Sequence, residues 1–130
     1  MSATLRVGVV GLGTMGRAVL ELLRTEPGVA LTDVATSRPM DARRILGEAT
    51  TVRIASEIDE LLATDVEVVV IATPDATHGD LAQRTIRARK HLLCEKPLAT
   101  SEPEAAEIVR LSREAGVIGM CLFNHRWLPA

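Results

Sequence analysis

Aromatic side chains are almost missing from this chain of 130 residues: one phenylalanine, one tryptophan and no tyrosine. A core must then be assembled from Val, Leu, Ile and Ala. Such a composition, 47% apolar overall, suits buried parallel strands flanked by aliphatic helices. Lysine is scarce too, with two lysines against 13 arginines, so a lysine in a suggestive place stands out. Net charge is also low, at −2, which argues against a general nucleic-acid binder, since these are usually basic. No apolar run is long enough to span a bilayer, and the N-terminus lacks a signal peptide's long apolar stretch. A cytoplasmic protein with no membrane partner is therefore expected. Cys94 and Cys121 have no metal-binding or redox spacing and read as buried free thiols; no metal site is expected. The length fits one domain, 1–130, that can bury about two-thirds of its unfolded surface.

Against these absences stands a regular alternation. Apolar, strand-like runs fall near 4–10, 30–36, 51–55, 67–72, 91–94 and 117–122. Helical patterns fall between them, near 14–25, 40–47, 57–63, 76–89 and 102–115. The pattern predicts an α/β fold: right-handed crossovers and a doubly wound parallel sheet of about six strands with helices on both faces. Ser101-Glu-Pro-Glu104 reads as a capping box with Pro103 in the first turn, Ser56 with Asp59 as a weaker start signal, and Gly116 as a helix stop.

Ligands of such sheets bind beyond the carboxyl ends of the strands, where strand order reverses. The loops there carry the unusual residues. After the first strand comes Gly11-Leu-Gly13-Thr-Met-Gly16. Gly11 permits a tight turn, Gly13 lets a pyrophosphate approach the backbone, and Gly16 lets the helix pack on the strand. The amides and positive dipole end of the helix favour an anion. This points to a dinucleotide site; the alternative is a strand-to-helix turn that merely needs glycine. After the second strand, Ser37 and Arg38 stand where an NAD site usually places an acid, and a hydroxyl with a guanidinium suits a 2′-phosphate. Asp33 falls too early, inside the strand. Arg43 and Arg44 could add positive potential, and a merely solvated basic loop is the competing reading. NADP is therefore favoured over NAD.

After the fourth strand, Thr73 and Pro74 are expected over the second half of the cofactor. His78 is expected in the first turn of the next helix, facing the crevice in a supporting role. After the fifth strand comes Cys94-Glu95-Lys96-Pro97. Lys96 offers a compact, tunable ammonium that can donate to a carbonyl or hydroxyl and ease proton transfer, and Glu95 could orient it. Taken alone, the tripeptide could also be an ordinary charged turn. The polar cluster Phe123-Asn124-His125-Arg126-Trp127 follows the sixth strand.

Together, Gly11-Leu-Gly-Thr-Met-Gly16, Ala72-Thr-Pro-Asp-Ala-Thr-His78, Cys94-Glu-Lys-Pro97 and Asn124-His-Arg-Trp127-x-Pro129 resemble the Gfo/Idh/MocA oxidoreductases, along essentially the whole chain. The resemblance implies an N-terminal Rossmann domain of enzymes that move hydride between a sugar, polyol or related carbon and NAD(P). It implies that Gly11, Leu12, Gly13, Thr14, Met15 and Gly16 cradle the pyrophosphate and that Ser37 and Arg38 meet the adenosine ribose. Thr73, Pro74 and His78 would lie near the nicotinamide side. Glu95 and Lys96 would sit beside the nicotinamide, with Lys96 contacting substrate and Asn124 and Arg126 bordering the pocket.

Family members also carry a C-terminal α/β substrate domain, with an Asp and a His for substrate binding and proton transfer, and no counterpart is expected here. The expectation is an isolated cofactor domain, binding-competent with little or no catalysis alone. A regulatory or interaction module on the same fold is the alternative. So is the cofactor domain of another two-domain dehydrogenase, against which Glu95-Lys96-Pro97 speaks. Self-association, as a homodimer or larger, is expected through the edge segment Val117-Ile-Gly-Met-Cys-Leu122 or the face that the absent domain would cover.

Overall fold

The computed structural model describes residues 3–123. Six strands alternate with helices in chain order: β1 (Leu5–Val10), α1 (Thr14–Thr25), β2 (Val29–Ala35), α2 (Pro39–Leu46), β3 (Arg53–Ala55) and α3 (Ile58–Leu62). Then come β4 (Val68–Ile71), a 3₁₀ turn (Asp75–Thr77), α4 (His78–Arg87), β5 (His91–Glu95), α5 (Glu102–Ala115) and β6 (Gly119–Leu122). All neighbouring strands pair in parallel, in the order β3-β2-β1-β4-β5-β6. This is the doubly wound Rossmann sheet, and strand order reverses between β1 and β4.

The aliphatic composition explains the layering. In β4, Val69 and Ile71 point to one face and Val70 to the other, and all three are buried. Val7 and Val9 of β1 join Val34, Val70 and Leu20 of α1 on one face, with Leu46 of α2 packed at the margin. On the other face, Ile58 and Leu61 of α3, Ala82 and Ile86 of α4, and Ile108 of α5 close over Val69, Ile71, Leu92 and Cys94. Each fully buried Leu or Ile contributes about 1.5–3 kcal/mol by leaving water.

The helix ends refine the sequence expectations. Ser101 Oγ accepts the Glu104 amide at 3.4 Å, but the Glu104 carboxylate bonds the Thr100 amide at 3.2 Å, so only half of the anticipated box forms around Ser101. The α3 cap falls on Glu57 rather than Ser56: the Glu57 and Glu60 side chains cap reciprocally, while Ser56 Oγ donates to Glu60 Oε1 at 3.0 Å. Gly116 closes α5 at φ 67°, the left-handed conformation that glycine adopts without penalty. The anticipated helix 76–89 divides into the 3₁₀ turn and α4.

One irregularity governs the charge interior. Val7 pairs with Leu31 but Gly8 pairs with Asp33, so Thr32 is an extra residue in β2. Asp33 is 2% exposed. Its carboxylate accepts two bonds from Arg53 of β3, both at 2.8 Å, and one from Thr32 Oγ1 at 2.6 Å. Arg53 also pairs with Asp65 at 2.7 Å. That second bond holds the Asp65 carboxyl below the usual carboxylate range. Asp33 thus lies inside the strand, as anticipated, bonded to an arginine rather than facing a ligand.

Candidate functional site

At the reversal point, main-chain bonds keep the strand ends level. The Gly11 amide donates to Ala35 O and the Ala72 amide to Val10 O, each at 2.9 Å, and the Thr36 amide donates to Ala55 O at 3.0 Å. The loops beyond these ends enclose a crevice of about 1490 Å³. That exceeds the roughly 300–1,000 Å³ of ordinary small-molecule pockets and suits a long ligand. It runs from the Thr36–Arg38 loop, past Gly11–Met15, to Thr73–Pro74 and on to Glu95 and Lys96.

The glycine loop is built as its spacing suggests. Gly11 has φ 91°, and a Cβ there would come within 2.6 Å of Ala72 O. A Cβ on Gly16 would lie 2.0 Å from Gly11 O, so α1 can sit this close to the turn only without a side chain. A Cβ on Gly13 would meet nothing within 4 Å. Gly13 is the residue before α1; no side chain caps that helix and no acid occupies its first turn. The first-turn amides of a helix have no intrahelical acceptor, and here they open onto the crevice beside exposed Thr14 and Met15. This combination fits an anionic diphosphate: room at Gly13, donors with no side-chain cap, and the positive end of a twelve-residue helix.

Cations occupy both arms of the crevice. Arg17 is anchored to Leu12 O at 3.2 Å, and Arg84 is held by Asp59 at 2.7 Å and Asp80 at 3.3 Å. Among the described residues, the side chains of Arg38 and Lys96 make no hydrogen bond or ion pair. Both line the crevice and are exposed. Arg38 precedes α2, and its amide donates to Thr36 Oγ1 at 3.2 Å, which folds Ser37 and Arg38 into a turn at the crevice rim. Arg43 and Arg44 do not line it; Arg44 pairs with Asp41 at 3.7 Å. Glu95 is 7% exposed and lies in the crevice wall. No ion pair joins it to Lys96 among the described residues.

His78 is placed differently from an open crevice residue. It belongs to the crevice lining, but its ring is fully buried, with Nδ1 2.6 Å from Pro97 O and Nε2 2.8 Å from Thr73 O. Thr73 itself is clipped to Thr77, Oγ1 to Oγ1 at 2.6 Å, and Thr77 Oγ1 donates to Pro74 O at 2.7 Å. The loops after β4 and β5 are thereby joined. Asn124 and Arg126 lie outside the described residues. Sequence reasoning missed Arg17 and Arg84. Arg17 was signalled by its place one residue beyond the last loop glycine, whereas Arg84 lies in mid-helix and had no such marker. Burial pushes the Cys94 thiol up to about 12, so this neighbour of Glu95 stays protonated and inert. Among the described residues no group of three or more His, Cys, Asp or Glu could hold a metal ion, and no helix is long and apolar enough to cross a membrane.

Comparison with known proteins agrees with this geometry. Residues 5–123 match the model of the GFO_IDH_MocA oxidoreductase family, NAD-binding Rossmann fold. Inositol 2-dehydrogenase of Rubrobacter xylanophilus is 41% identical over 121 residues, which cover 88% of this chain and 33% of that enzyme. The Mycolicibacterium smegmatis inositol 2-dehydrogenase is 38% identical over 115 residues, covering 87% and 33%. Among solved structures, GenD2 of gentamicin A biosynthesis, in complex with NAD, superposes with TM-score 0.86 at 35% identity, covering 92% of this chain and 34% of that one. A mutant of KijD10, a 3-ketoreductase from Actinomadura kijaniata in complex with TDP-benzene and NADP, gives 0.85 at 32% identity, covering 92% and 38%. The chain thus spans about a third of the length of these relatives. It belongs to the Gfo/Idh/MocA oxidoreductases, as the nicotinamide-dinucleotide-binding domain of that family.

Proposed function

We propose that this chain holds NADP in preference to NAD and supplies the cofactor half of a hydride-transfer site for a sugar, polyol or related carbon. The observation that carries this reading is the pair of crevice cations with no hydrogen bond or ion pair among the described residues, Arg38 and Lys96, on either side of the glycine loop. Gly11, Leu12, Gly13, Thr14, Met15 and Gly16 hold the pyrophosphate. Ser37 donates its hydroxyl and Arg38 its planar fork to the 2′-phosphate. Buried Asp33, committed to Arg53, leaves no acid from β2 to repel that phosphate. The relatives support both cofactors, one solved with NAD and another with NADP, so the preference rests on these two side chains.

Thr73 and Pro74 flank the far half of the crevice, and His78 braces them from behind. A dinucleotide held by these residues would bring the hydride donor or acceptor to this end of the crevice. Lys96 directs its ammonium to the oxygen on the reacting carbon, stabilises charge there and eases the proton's transfer. Glu95 borders Lys96 in the same wall and biases its orientation. Hydride transfer also needs the substrate held in near-attack geometry. The described residues build the cofactor side of that cleft, so the chain alone binds dinucleotide with little or no catalysis.

Self-association belongs to the same reading. Met120 of the edge strand β6 and its flanking residues Ile118 and Phe123 are exposed at 55%, 67% and 49%, and an apolar edge can template pairing with a second copy. A cytoplasmic location fits two cysteines that form no disulfide among the described residues.

Calorimetric titration with NADP and NAD in parallel, on the wild type and Arg38→Ala, tests the proposal. Saturable binding that favours NADP, with the advantage lost in the variant, is the expected result. Equal affinity for both cofactors, unchanged by the substitution, would refute the phosphate role of Arg38.

A further inference from the structure

One wall of the crevice belongs to α3 and α4. Ser56, Glu57 and Ile58 line it where α3 begins, and Asp80, Leu81 and Arg84 line it from α4. Asp80 and Leu81 stand four and three residues before Arg84, which puts the three on one face of the helix. Ile58 and Leu81 belong to a single apolar cluster, so this wall sets apolar surface beside a charged rim. The strand ends fix its place. The Thr36 amide bonds Ala55 O at 3.0 Å, which holds the start of α3 beside the Ser37–Arg38 turn. Lys96 follows β5, on the far side of the reversal point. The α3–α4 wall therefore lies at the Arg38 end of the crevice.

The bonds that hold Arg84 limit what it can recognise. Its Nη2 pairs with Asp59 of α3 at 2.7 Å and its Nη1 with Asp80 at 3.3 Å. Two carboxylates answer one guanidinium, so the group as a whole is negative and does not draw a phosphate. Arg38, whose fork makes no hydrogen bond or ion pair among the described residues, suits a phosphate instead. What Arg84 offers is the flat face of its guanidinium, steadied at both terminal nitrogens on a side chain still 32% exposed. Such a face stacks on planar aromatic rings.

We propose that Arg84 seats the adenine of the dinucleotide. Its guanidinium, fixed between Asp59 and Asp80, stacks on the purine, and Ile58 and Leu81 supply apolar surface beside the ring. This role rests on the dinucleotide reading and gives it an order along the crevice. The base lies at the α3–α4 wall, the ribose and its phosphate at Ser37 and Arg38, the pyrophosphate at the glycine loop and the nicotinamide toward Lys96. The ion pair becomes part of the site, because Asp59 holds Arg84 from a second helix and keeps its face from turning away.

The test compares NAD with nicotinamide cytosine dinucleotide, in which a pyrimidine replaces the purine and the rest of the ligand is unchanged. Calorimetry on the whole chain should show NAD bound about fivefold more tightly than the cytosine analogue. Arg84→Lys keeps a cation between the two acids and removes the planar face. In that variant the purine preference should shrink to within about twofold, with affinity for the cytosine analogue and the NADP-to-NAD ratio unchanged. A purely structural role for Arg84 would weaken both dinucleotides together and keep the preference. If Arg84→Lys does not fold, the wild-type spectra decide. The Arg84 side-chain methylene signals should move upfield as NAD is added and stay in place with nicotinamide mononucleotide. A preference retained in Arg84→Lys, a wild type that does not distinguish the two bases, or methylene signals unmoved by bound NAD would overturn the role of Arg84 and leave the dinucleotide reading standing. A chain that binds neither dinucleotide would refute that reading and this role with it.

Discussion

Replacing Gly16 and Gly13 separately by alanine should split folding from binding. At Gly16 the new Cβ would lie 2.0 Å from Gly11 O, 2.9 Å from Gly11 C and 3.6 Å from the Ala72 Cβ. Real Cβ contacts stay beyond 3.0 Å, so α1 or the β1–α1 turn must move by about 1 Å. The obstacle is backbone and cannot rotate away. Forced overpacking costs about 1–3 kcal/mol, and a clash with main chain falls in the upper part of that range, about 2–3 kcal/mol, offset by about 1 kcal/mol from alanine's better helix propensity. A net loss of about 1–2 kcal/mol would lower the melting temperature by roughly 3–10 °C in a domain of this size. Moving the turn also displaces the first-turn amides, so dinucleotide affinity falls with stability.

At Gly13 the backbone has φ −70° and ψ −165°, open to any residue, and the Cβ meets nothing. Stability should then drop by under ~1 kcal/mol, the difference between glycine and alanine before a helix. Affinity should fall tenfold or more, since the methyl occupies the space needed for close approach of the phosphates. Urea unfolding followed by circular dichroism, paired with calorimetric titration, separates the two effects. Gly16→Ala as stable as wild type, or Gly13→Ala binding as tightly, would refute this account of the loop.

Three further outcomes follow from other parts of the molecule. Arg53→Met strands the buried Asp33 carboxylate and should lower stability in urea unfolding, with the NADP-to-NAD ratio unchanged; an altered ratio would bring Asp33 into the ribose site. The Cys94 thiol, raised from 9.0 to about 12 by burial, remains protonated in the fold while the unfolded chain ionises. Stability should therefore hold below about pH 9 and decline as the pH rises toward 12, and Cys94→Ala should flatten that decline; an identical slope in the variant would refute it. Met120→Lys on the edge strand should shift any self-associated species toward monomer in light scattering at high concentration. Persistence of the same oligomer would move the contact away from β6.

The site was legible in sequence where one residue type answers one backbone demand. Gly11 and Gly16 each fill a place where a Cβ collides with main chain, so the loop announces itself in a line of letters. The alternation of aliphatic runs with helical patterns located all six strands to within a few residues, because buried parallel strands of Val, Leu and Ile differ plainly from the helices between them. What stayed hidden depends on residues far apart in sequence. The Asp33–Arg53 pair forms across twenty residues through the register of β2 on β3, which the extra residue Thr32 adjusts. His78 shows as a histidine at a helix start, but its two neighbours are main-chain oxygens five and nineteen residues away, which no side-chain pattern signals. The α3 cap moved from Ser56 to Glu57 because a glutamate can cap as well when Glu60 returns the bond.

The central claim, that a dinucleotide lies across the reversal point of the sheet, is tested most directly by amide chemical-shift mapping as NADP is added to the labelled chain. The account predicts saturable shifts centred on Gly11–Arg17, Thr36–Arg38, Thr73 and Glu95–Lys96, with α5 silent. Absence of saturable shifts at those residues, or shifts centred on the outer face of α5, would contradict it.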